Sequence, residues 1–276
     1  MWKVKIMSTT RSIRTLPMRV VSQANPAWVN RALKLHDEVG VDYSHHTFAM
    51  SCFGRQWQTM MGLRERFLPQ LSPSSGPVRV LDIGIGNSPC AEILELADHL
   101  MKAGINFEIT AMDMRERAFE VLKQMGGLGV GFKELSDLHI PESYYATFLG
   151  KPCIREGSAF HFYIPKEVKD RIERLIGDIA TAEVPQERFD IIICLNILIY
   201  LRTRSIEKLA LYNMAKGLKS GGVLITDWHQ MVFQMNNLNL NNRRFRTAEL
   251  AMLGLKRIEP ILAEGDGWEH FALQRT

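Results

Sequence analysis

Apolar and polar positions follow two periods along residues 78–274. Short runs rich in β-branched residues predict strands, and the longer segments between them carry the apolar spacing of amphipathic helices. Strands that alternate with helices predict a parallel sheet of right-handed βαβ units. The predicted strands are Val78–Ile83, Phe107–Met112, Phe189–Cys194 and Val223–Asp227, with helices from about Ser88 to Ala103 and from Arg204 to Leu218.

Two further apolar runs, Leu255–Leu262 and Trp268–Gln274, are separated by the turn-rich residues 263–267. A linker this short predicts a β-hairpin. The hairpin adds antiparallel strands to the edge of the parallel sheet, and the expected fold class is α/β with a Rossmann-like sheet.

The chain before this pattern divides into three parts. Residues 1–26 form a basic N-terminal arm, residues 27–71 carry helical apolar spacing and predict an N-terminal helical domain, and Ser72–Pro77 predicts a linker because it is dense in turn residues. The main domain then spans residues 77–276. Within it the alternation breaks down at about 127–170, which predicts an inserted subdomain.

The composition is that of a globular protein with a full core: 276 residues, 46% hydrophobic and 23% charged. Its apolar runs fall far short of the roughly 18 to 20 residues of a membrane helix, so we expect a cytoplasmic protein with no membrane insertion. The 4 cysteines form no Cys-x-x-Cys pair and no His-Glu-x-x-His occurs, so we predict no metal.

Basic charge is concentrated at the start of the chain. The net charge is +4, yet the first acidic residue is Asp37, and seven lysines and arginines precede it. The arm can be a solvated segment, a patch that attracts an acidic partner, or a transit peptide. Nucleic-acid binding is not expected, because no motif interleaves basic and aromatic residues.

Ligands of open α/β sheets bind beyond the carboxyl ends of the strands. After the first predicted strand, Gly84 and Gly86 let the backbone approach a ligand closely, and Asp82 can order this loop or accept an ammonium group. A plain tight turn has the same two glycines, so the loop alone does not identify a cofactor.

Three later strand ends add groups that suit a nucleoside. Asp113 can bridge two ribose hydroxyls, or it can cap the helix that follows. Asp178 can accept from an adenine amino group, and Leu195 and Asn196 end the central strand. A nicotinamide dinucleotide is disfavoured, because Pro89 stands where its fingerprint needs the last glycine.

The run Phe189–Leu201, Phe-Asp-Ile-Ile-Ile-Cys-Leu-Asn-Ile-Leu-Ile-Tyr-Leu, resembles Phe-Asp-x-Ile-Phe-Cys-Arg-Asn-Val-x-Ile-Tyr-Phe of the CheR-type chemotaxis receptor methyltransferases. The resemblance extends from roughly Val29 to Asp227. It implies the class I S-adenosylmethionine-dependent methyltransferase fold, a Rossmann-like seven-stranded α/β sheet with an N-terminal helical domain and a small β-subdomain matching Tyr144–Ile164. It also implies the cofactor S-adenosylmethionine, the product S-adenosylhomocysteine, and an acidic protein substrate such as a chemoreceptor-like helix.

The same resemblance assigns roles to single residues. Ser51–Arg55 is similar to the family's Thr-x-Phe-Phe-Arg, which makes Ser51 a cofactor contact and Arg55 the active-site arginine. The remaining assignments are Asp113 to the ribose, Asp178 and Ile179 to adenine, Tyr200 to the transferred methyl, and Glu92, after a one-residue shift, to the glutamate that follows the glycine loop.

One segment and two single residues depart from the family. Pro89–Leu94 replaces Gly-Glu-Glu-Pro-Tyr-Ser, Leu195 replaces the arginine of the central strand, and Ala49 replaces an asparagine. Two alternatives to a protein-glutamate acceptor therefore stay open: a small-molecule or non-receptor acceptor, and a non-catalytic module that binds S-adenosylmethionine. Arg55 can also be a surface ion-pair residue and Tyr200 a core residue.

Overall fold

The computed structural model describes residues 13–39, 53–71, 76–85, 91–119, 127–201, 203–229, 247–265 and 268–276. The strands within these residues are β1 (Arg14–Thr15), β2 (Val78–Ile83), β3 (Phe107–Asp113), β4 (Gly127–Gly131), β5 (Thr147–Phe148), β6 (Lys151–Pro152), β7 (Ile154–Glu156), β8 (Ala159–Tyr163), β9 (Ile172–Ile176), β10 (Phe189–Cys194), β11 (Leu218–His229), β12 (Leu255–Gly265) and β13 (Trp268–Arg275).

The α-helices in the described ranges are α1 (Ala27–Val39), α2 (Trp57–Gly62), α3 (Ala91–Lys102), α4 (Phe132–Asp137), α5 (Glu142–Tyr145), α6 (Lys166–Lys169), α7 (Arg204–Gly217) and α8 (Thr247–Met252). A π-helical segment, Leu63–Phe67, continues α2, and short 3-10 turns lie at Leu68–Gln70, Glu116–Phe119 and Leu198–Tyr200. None of the helices described is long and apolar enough to span a bilayer.

The main sheet has 8 strands in the order β1, β9, β3, β2, β10, β11, β13, β12. The six strands from β1 across the sheet to β11 run parallel to their neighbours. Strand β13 pairs antiparallel with both β11 and β12. Without β1 this is the predicted seven-stranded Rossmann-like sheet closed by a C-terminal hairpin. The α/β class I methyltransferase fold is confirmed.

Strand β2 is central, and five of its six residues are buried, as is typical of a parallel strand covered on both faces. Val80 packs with Ile93 and Leu96 of α3 on one face. Leu81 and Ile83 pack with α7 on the other. The sheet therefore lies between two helical layers, and its carboxyl edge opens where β2, β3, β9, β10 and β11 end.

The N-terminal segments attach to this core at two places. Residues 14–19, in the predicted basic arm, run along β9 and the residues that follow it: the Leu16 N–H donates to the Ile176 carbonyl at 2.9 Å and the Arg19 N–H to the Thr181 carbonyl at 2.6 Å. Helix α1 packs on α7, where Trp28 meets Tyr212 edge-on with ring centroids 5.3 Å apart.

A second, antiparallel sheet of 3 strands in the order β4, β8, β7 is inserted between β3 and β9. Its residue Phe162 packs with Phe148 and with Phe53, which precedes α2. The insert thus packs on Phe53, just before α2.

Candidate functional site

A glycine turn follows β2 at the carboxyl edge of the sheet. Gly84 has φ +80° and donates its N–H to the Met112 carbonyl at 2.7 Å. A Cβ on Gly84 would lie 2.0 Å from Ile197 Cδ1, so both the backbone conformation and the space require glycine here. Gly86 and Ser51, also predicted to contact the cofactor, lie outside the described residues.

Acidic side chains surround this turn. Asp82 is 2% exposed, and its Oδ2 finds no hydrogen-bond donor among the described residues. Burial and the neighbouring Glu92 raise the pKa of Asp82 well above its usual range, against the N–H of Ile83. Desolvation raises the pKa of Glu92 to about 7. The charge of Arg55 lowers this pKa, and that of Asp227 raises it. Carboxyl groups of β2, α3 and β11 are therefore close enough to repel one another.

Arg55 and Asn196 meet at the solvent side of these acids. The Asn196 N–H donates to Asp227 Oδ2 at 2.8 Å, and Asn196 Oδ1 accepts a long 3.4 Å hydrogen bond from exposed Arg55. Asn196 has φ +60°, a left-handed conformation that asparagine tolerates. Leu195 is buried in the core, and Tyr200 is half-buried in the 3-10 turn that follows.

Asp113 ends β3 on the other side of the glycine turn and is 5% exposed. Its Oδ1 accepts from the Arg115 backbone N–H at 2.9 Å and lies 3.3 Å from Arg115 Nε. Asp113 thus fixes the start of the segment that follows β3, which is the capping contact weighed in the sequence as the alternative to ribose binding. The contact of Asp113 with a ribose stays a prediction.

Asp178 joins two elements at the end of β9. Its Oδ1 accepts from the Ala180 N–H at 2.8 Å, and its Oδ2 lies 2.9 Å from His36 Nε2 on α1. Ile179 beside it is buried in the core that faces α7. The predicted adenine contact is therefore also the attachment point of α1.

Sequence reasoning missed Asp227, His36 and Glu95. Asp227 ends the strand Val223–Asp227 that the sequence predicts, although β11 continues to His229 in the structure, so the strand-end rule would have found it. His36 and Glu95 gave no signal, because their contacts join distant segments: His36 bonds across 142 positions, and Glu95 bonds Gly54 across 41. No group of three or more metal-ligating side chains occurs in the part of the chain that the structure describes.

These groups fit S-adenosylmethionine, whose methionine end carries an ammonium and a sulfonium. A cation next to Asp82 and Glu92 would stabilise their ionised forms, whose pKa values burial has raised. Asp113 lies at the strand end that suits a ribose. The group suited to each end of the cofactor is thus found along one edge of the sheet.

Comparison with known proteins identifies the family. The model of the CheR methyltransferase SAM-binding domain matches residues 51–245, more than two thirds of the chain. No curated protein matches the chain significantly.

The solved structures that match this chain are distant in sequence. The N-methyltransferase NodS from Bradyrhizobium japonicum WM9, in complex with S-adenosyl-L-homocysteine, is 17% identical with a TM-score of 0.46, and the match covers 89% of this chain and 98% of NodS. A TehB-like SAM-dependent methyltransferase from Corynebacterium glutamicum is 12% identical with a TM-score of 0.43, over 91% of this chain and 100% of the other. On the family match, the chain belongs to the CheR methyltransferases and is an S-adenosylmethionine-dependent methyltransferase.

Proposed function

We propose that the chain transfers the methyl group to a carboxylate of an acidic protein, as a protein-glutamate O-methyltransferase. The observation that carries this proposal is the exposed guanidinium of Arg55 beside Asn196 at the end of β10. A guanidinium binds a carboxylate through two parallel charge-assisted hydrogen bonds. A cytoplasmic location and an acidic protein partner, rather than nucleic acid, are parts of the same proposal.

Arg55 also solves an electrostatic problem at this edge. Glu92 and Asp227 would repel an incoming carboxylate, and Arg55 is the cation that lowers the pKa of Glu92. Placed on the solvent side of these acids, its guanidinium offsets the repulsion where an acceptor must approach.

The chemistry requires alignment more than proton transfer. Bound S-adenosylmethionine would supply a methyl group on a positively charged sulfur. The neutral thioether that remains after transfer is a good leaving group. A glutamate carboxylate is ionised at neutral pH and needs no general base. Arg55 would orient the carboxylate in line with the methyl, and Tyr200 would border the transfer site; alignment of this kind supplies effective molarities of roughly 10⁵ to 10⁸ M.

The first prediction concerns Arg55. With tritiated S-adenosylmethionine and a glutamate-rich helical peptide as acceptor, Arg55→Ala lowers kcat/KM about 10- to 100-fold, since a hydrogen bond to a charged group contributes about 1.5–3 kcal/mol. Arg66→Ala is the matched control, because Arg66 is an exposed arginine in the π-helical segment after α2. Full turnover by Arg55→Ala would rule out its role.

The chemistry of the product identifies the acceptor. Methyl esters release volatile methanol in alkali, whereas methyl groups on nitrogen or carbon do not. Alkali-labile label supports the proposal, and alkali-stable label indicates a different acceptor, the alternative that Leu195 in place of the family arginine favours. Binding of S-adenosylmethionine without transfer to peptide or lysate would indicate a non-catalytic module.

The second prediction concerns the nucleoside. Asp113→Asn weakens S-adenosylhomocysteine binding about 10- to 100-fold in calorimetry, because the carboxylate's charge-assisted bonds to the ribose are lost. Asp170→Asn, which alters an exposed aspartate paired with Lys166, leaves the affinity unchanged. Equal affinities for both variants would remove Asp113 from the cofactor site.

A further inference from the structure

A buried polar cluster lies between α3 and the insert, behind the candidate site. Its members Glu95, Asp98 and His99 are all at most 2% exposed. Glu95 Oε1 accepts from the Gly54 N–H at 2.8 Å, and Glu95 Oε2 is hydrogen-bonded to the Tyr144 hydroxyl. The Glu95 carboxyl group therefore joins α5 of the insert to the residue that directly precedes Arg55.

Gly54 is held from the opposite side as well. It has φ +73°, and a Cβ there would lie 2.0 Å from Ile140 Cδ1. Phe53 stacks on Phe162 of the insert, with ring centroids 4.7 Å apart. The backbone that carries Arg55 is thus fixed between Glu95 of α3 and apolar side chains of the insert.

We propose that Glu95, held by Tyr144, is a positioning residue that sets the placement of Arg55 through the Gly54 N–H. This inference rests on the proposed role of Arg55 in binding the acceptor. Arg55 reaches Asn196 from the backbone next to Gly54, so a shift of that backbone moves the guanidinium relative to Asn196. A misplacement of about 1 Å at a reacting group can cost about 100-fold in rate.

Packing alone does not explain why a carboxyl group, and not an apolar side chain, occupies position 95. Burial raises the pKa of Glu95 to about 8, although the hydrogen bonds from Tyr144 and Gly54 oppose the change. An apolar side chain of similar size would avoid this desolvation cost. It would also leave the buried Gly54 N–H without an acceptor, and that loss is what the proposal tests.

Asp98 provides a matched control. It lies one turn further along α3, is equally buried, and accepts from the Leu149 N–H of the insert at 2.8 Å. It also pairs with Lys102, at 2.7 Å. Removing Asp98 therefore disturbs the same interface without removing the acceptor of the Gly54 N–H.

The experiment compares Glu95→Ala, Glu95→Gln and Asp98→Ala in the full chain. Amide exchange of Gly54 is followed by NMR after glycine labelling, and methyl transfer is measured to the glutamate-rich peptide. Glu95→Ala raises the Gly54 exchange rate at least about tenfold and lowers kcat/KM about 10- to 100-fold. Its affinity for S-adenosylhomocysteine stays within about twofold of wild type, because Asp113 and Asp178 lie on other elements and the change leaves Glu92, one turn earlier on α3, in place.

Rescue by the conservative variant separates positioning from general destabilisation. Glu95→Gln keeps an oxygen that accepts from Gly54 and gains an N–H that donates to the Tyr144 hydroxyl, so exchange and kcat/KM stay within about threefold of wild type. Asp98→Ala lowers the melting temperature but leaves Gly54 exchange unchanged. The proposal is overturned if Glu95→Ala keeps wild-type exchange, or if Asp98→Ala loses as much transfer.

A Glu95→Ala chain that does not fold leaves Tyr144→Phe as the test. Loss of the Tyr144 hydroxyl removes the hydrogen bond to Glu95 Oε2, so the carboxyl group is held less firmly. We expect faster Gly54 exchange and about 3- to 10-fold lower kcat/KM. Wild-type values for both overturn the proposal. Wild-type protein that binds S-adenosylhomocysteine but does not methylate the peptide contradicts the proposed function instead, and Gly54 exchange still tests the Glu95 contact.

Discussion

Gly84 and Asn196 both adopt left-handed backbone at the carboxyl edge of the sheet, with φ of +80° and +60°. Asparagine tolerates this conformation better than most residues other than glycine, and its side chain here accepts a hydrogen bond from the distant Arg55. Gly84 is required for a second reason, the closeness of Ile197. The turn beside the cofactor site is therefore determined by one backbone conformation and one side-chain contact.

The third prediction separates these two effects. Gly84→Ala lowers the free energy of unfolding more than Gly157→Ala does, because Gly157 has φ +60° and a Cβ added there would meet nothing within 4 Å. Left-handed strain alone costs about 1 kcal/mol, and the Ile197 contact adds to it at Gly84. Urea denaturation of both variants measures the difference.

A double variant gives the counter-test for Gly84. In Gly84→Ala/Ile197→Ala the nearest remaining Ile197 atom, Cβ, would be 3.9 Å away, an ordinary contact. The double variant should be more stable than the sum of the two single losses predicts. Simple additivity would show that the contact with Ile197 is relieved by movement and does not determine the residue.

At the scale of elements, α1 connects the N-terminal part of the chain to the cofactor side of the sheet. Val29, Ala32 and Leu33 pack against Leu209 of α7. One face of α1 is thereby fixed, and His36 is brought to Asp178, where the two side chains are 12% and 15% exposed. Helix α1 thus supports the turn after β9.

The fourth prediction follows from this contact. His36→Ala weakens S-adenosylhomocysteine binding about 3- to 10-fold, because Asp178 loses the partner that holds it in place. Lys34→Ala, an exposed change on the same helix, leaves binding as it is. Calorimetry measures both, and a His36→Ala protein with wild-type affinity would show that the pair serves only to attach α1.

How well a strand could be predicted depended on how apolar its sequence is. Strands β2 and β10 begin and end where the sequence predicts, because four of six residues in β2 and five of six in β10 are apolar. Strand β9 was not predicted, because the adjacent Glu173 and Arg174 divide its three apolar residues. Its Glu173 is nevertheless buried, paired with Arg14 and Arg188 at 3.3 and 2.8 Å. Strand β1 was missed because two residues paired through backbone groups leave no pattern.

At the scale of the whole molecule, buried ionisable groups make stability depend on pH in two directions. Burial raises the pKa of Glu95 from 4.5 to about 8, so the folded chain keeps a proton that the unfolded chain releases. That contribution is complete below pH 4.5 and is lost as the pH rises to about 8. Burial lowers the pKa of His99 from 6.5 to about 3, so its contribution is lost as the pH falls between these values.

The fifth prediction is that stability falls as the pH rises from about 4.5 to about 8, since the raised pKa values of Asp82 and Glu92 add to the loss at Glu95. Thermal denaturation from about pH 3 to pH 9 measures it. Glu95→Gln flattens the alkaline side of the curve and leaves the acid side in place, because glutamine does not titrate. An alkaline side that is unchanged in this variant would mean that Glu95 is ionised in the folded protein at neutral pH.

The sequence by itself determined the class of protein. Periodicity identified the sheet and its closing hairpin, and residues at the strand ends indicated a nucleoside ligand, since parallel strands bring their carboxyl ends to one edge whatever the detailed packing. The block Phe189–Leu201 then indicated the family that the match over residues 51–245 shows.

Only the tertiary structure decided which side chains meet. The contacts of Arg55 with Asn196, of Asp178 with His36, and of Glu95 with Gly54 join segments between 41 and 142 residues apart. Apolar periodicity specifies which face of an element is buried. It does not specify which polar group on a neighbouring element satisfies a buried donor or acceptor, because that depends on the distance and direction between two atoms in the folded chain.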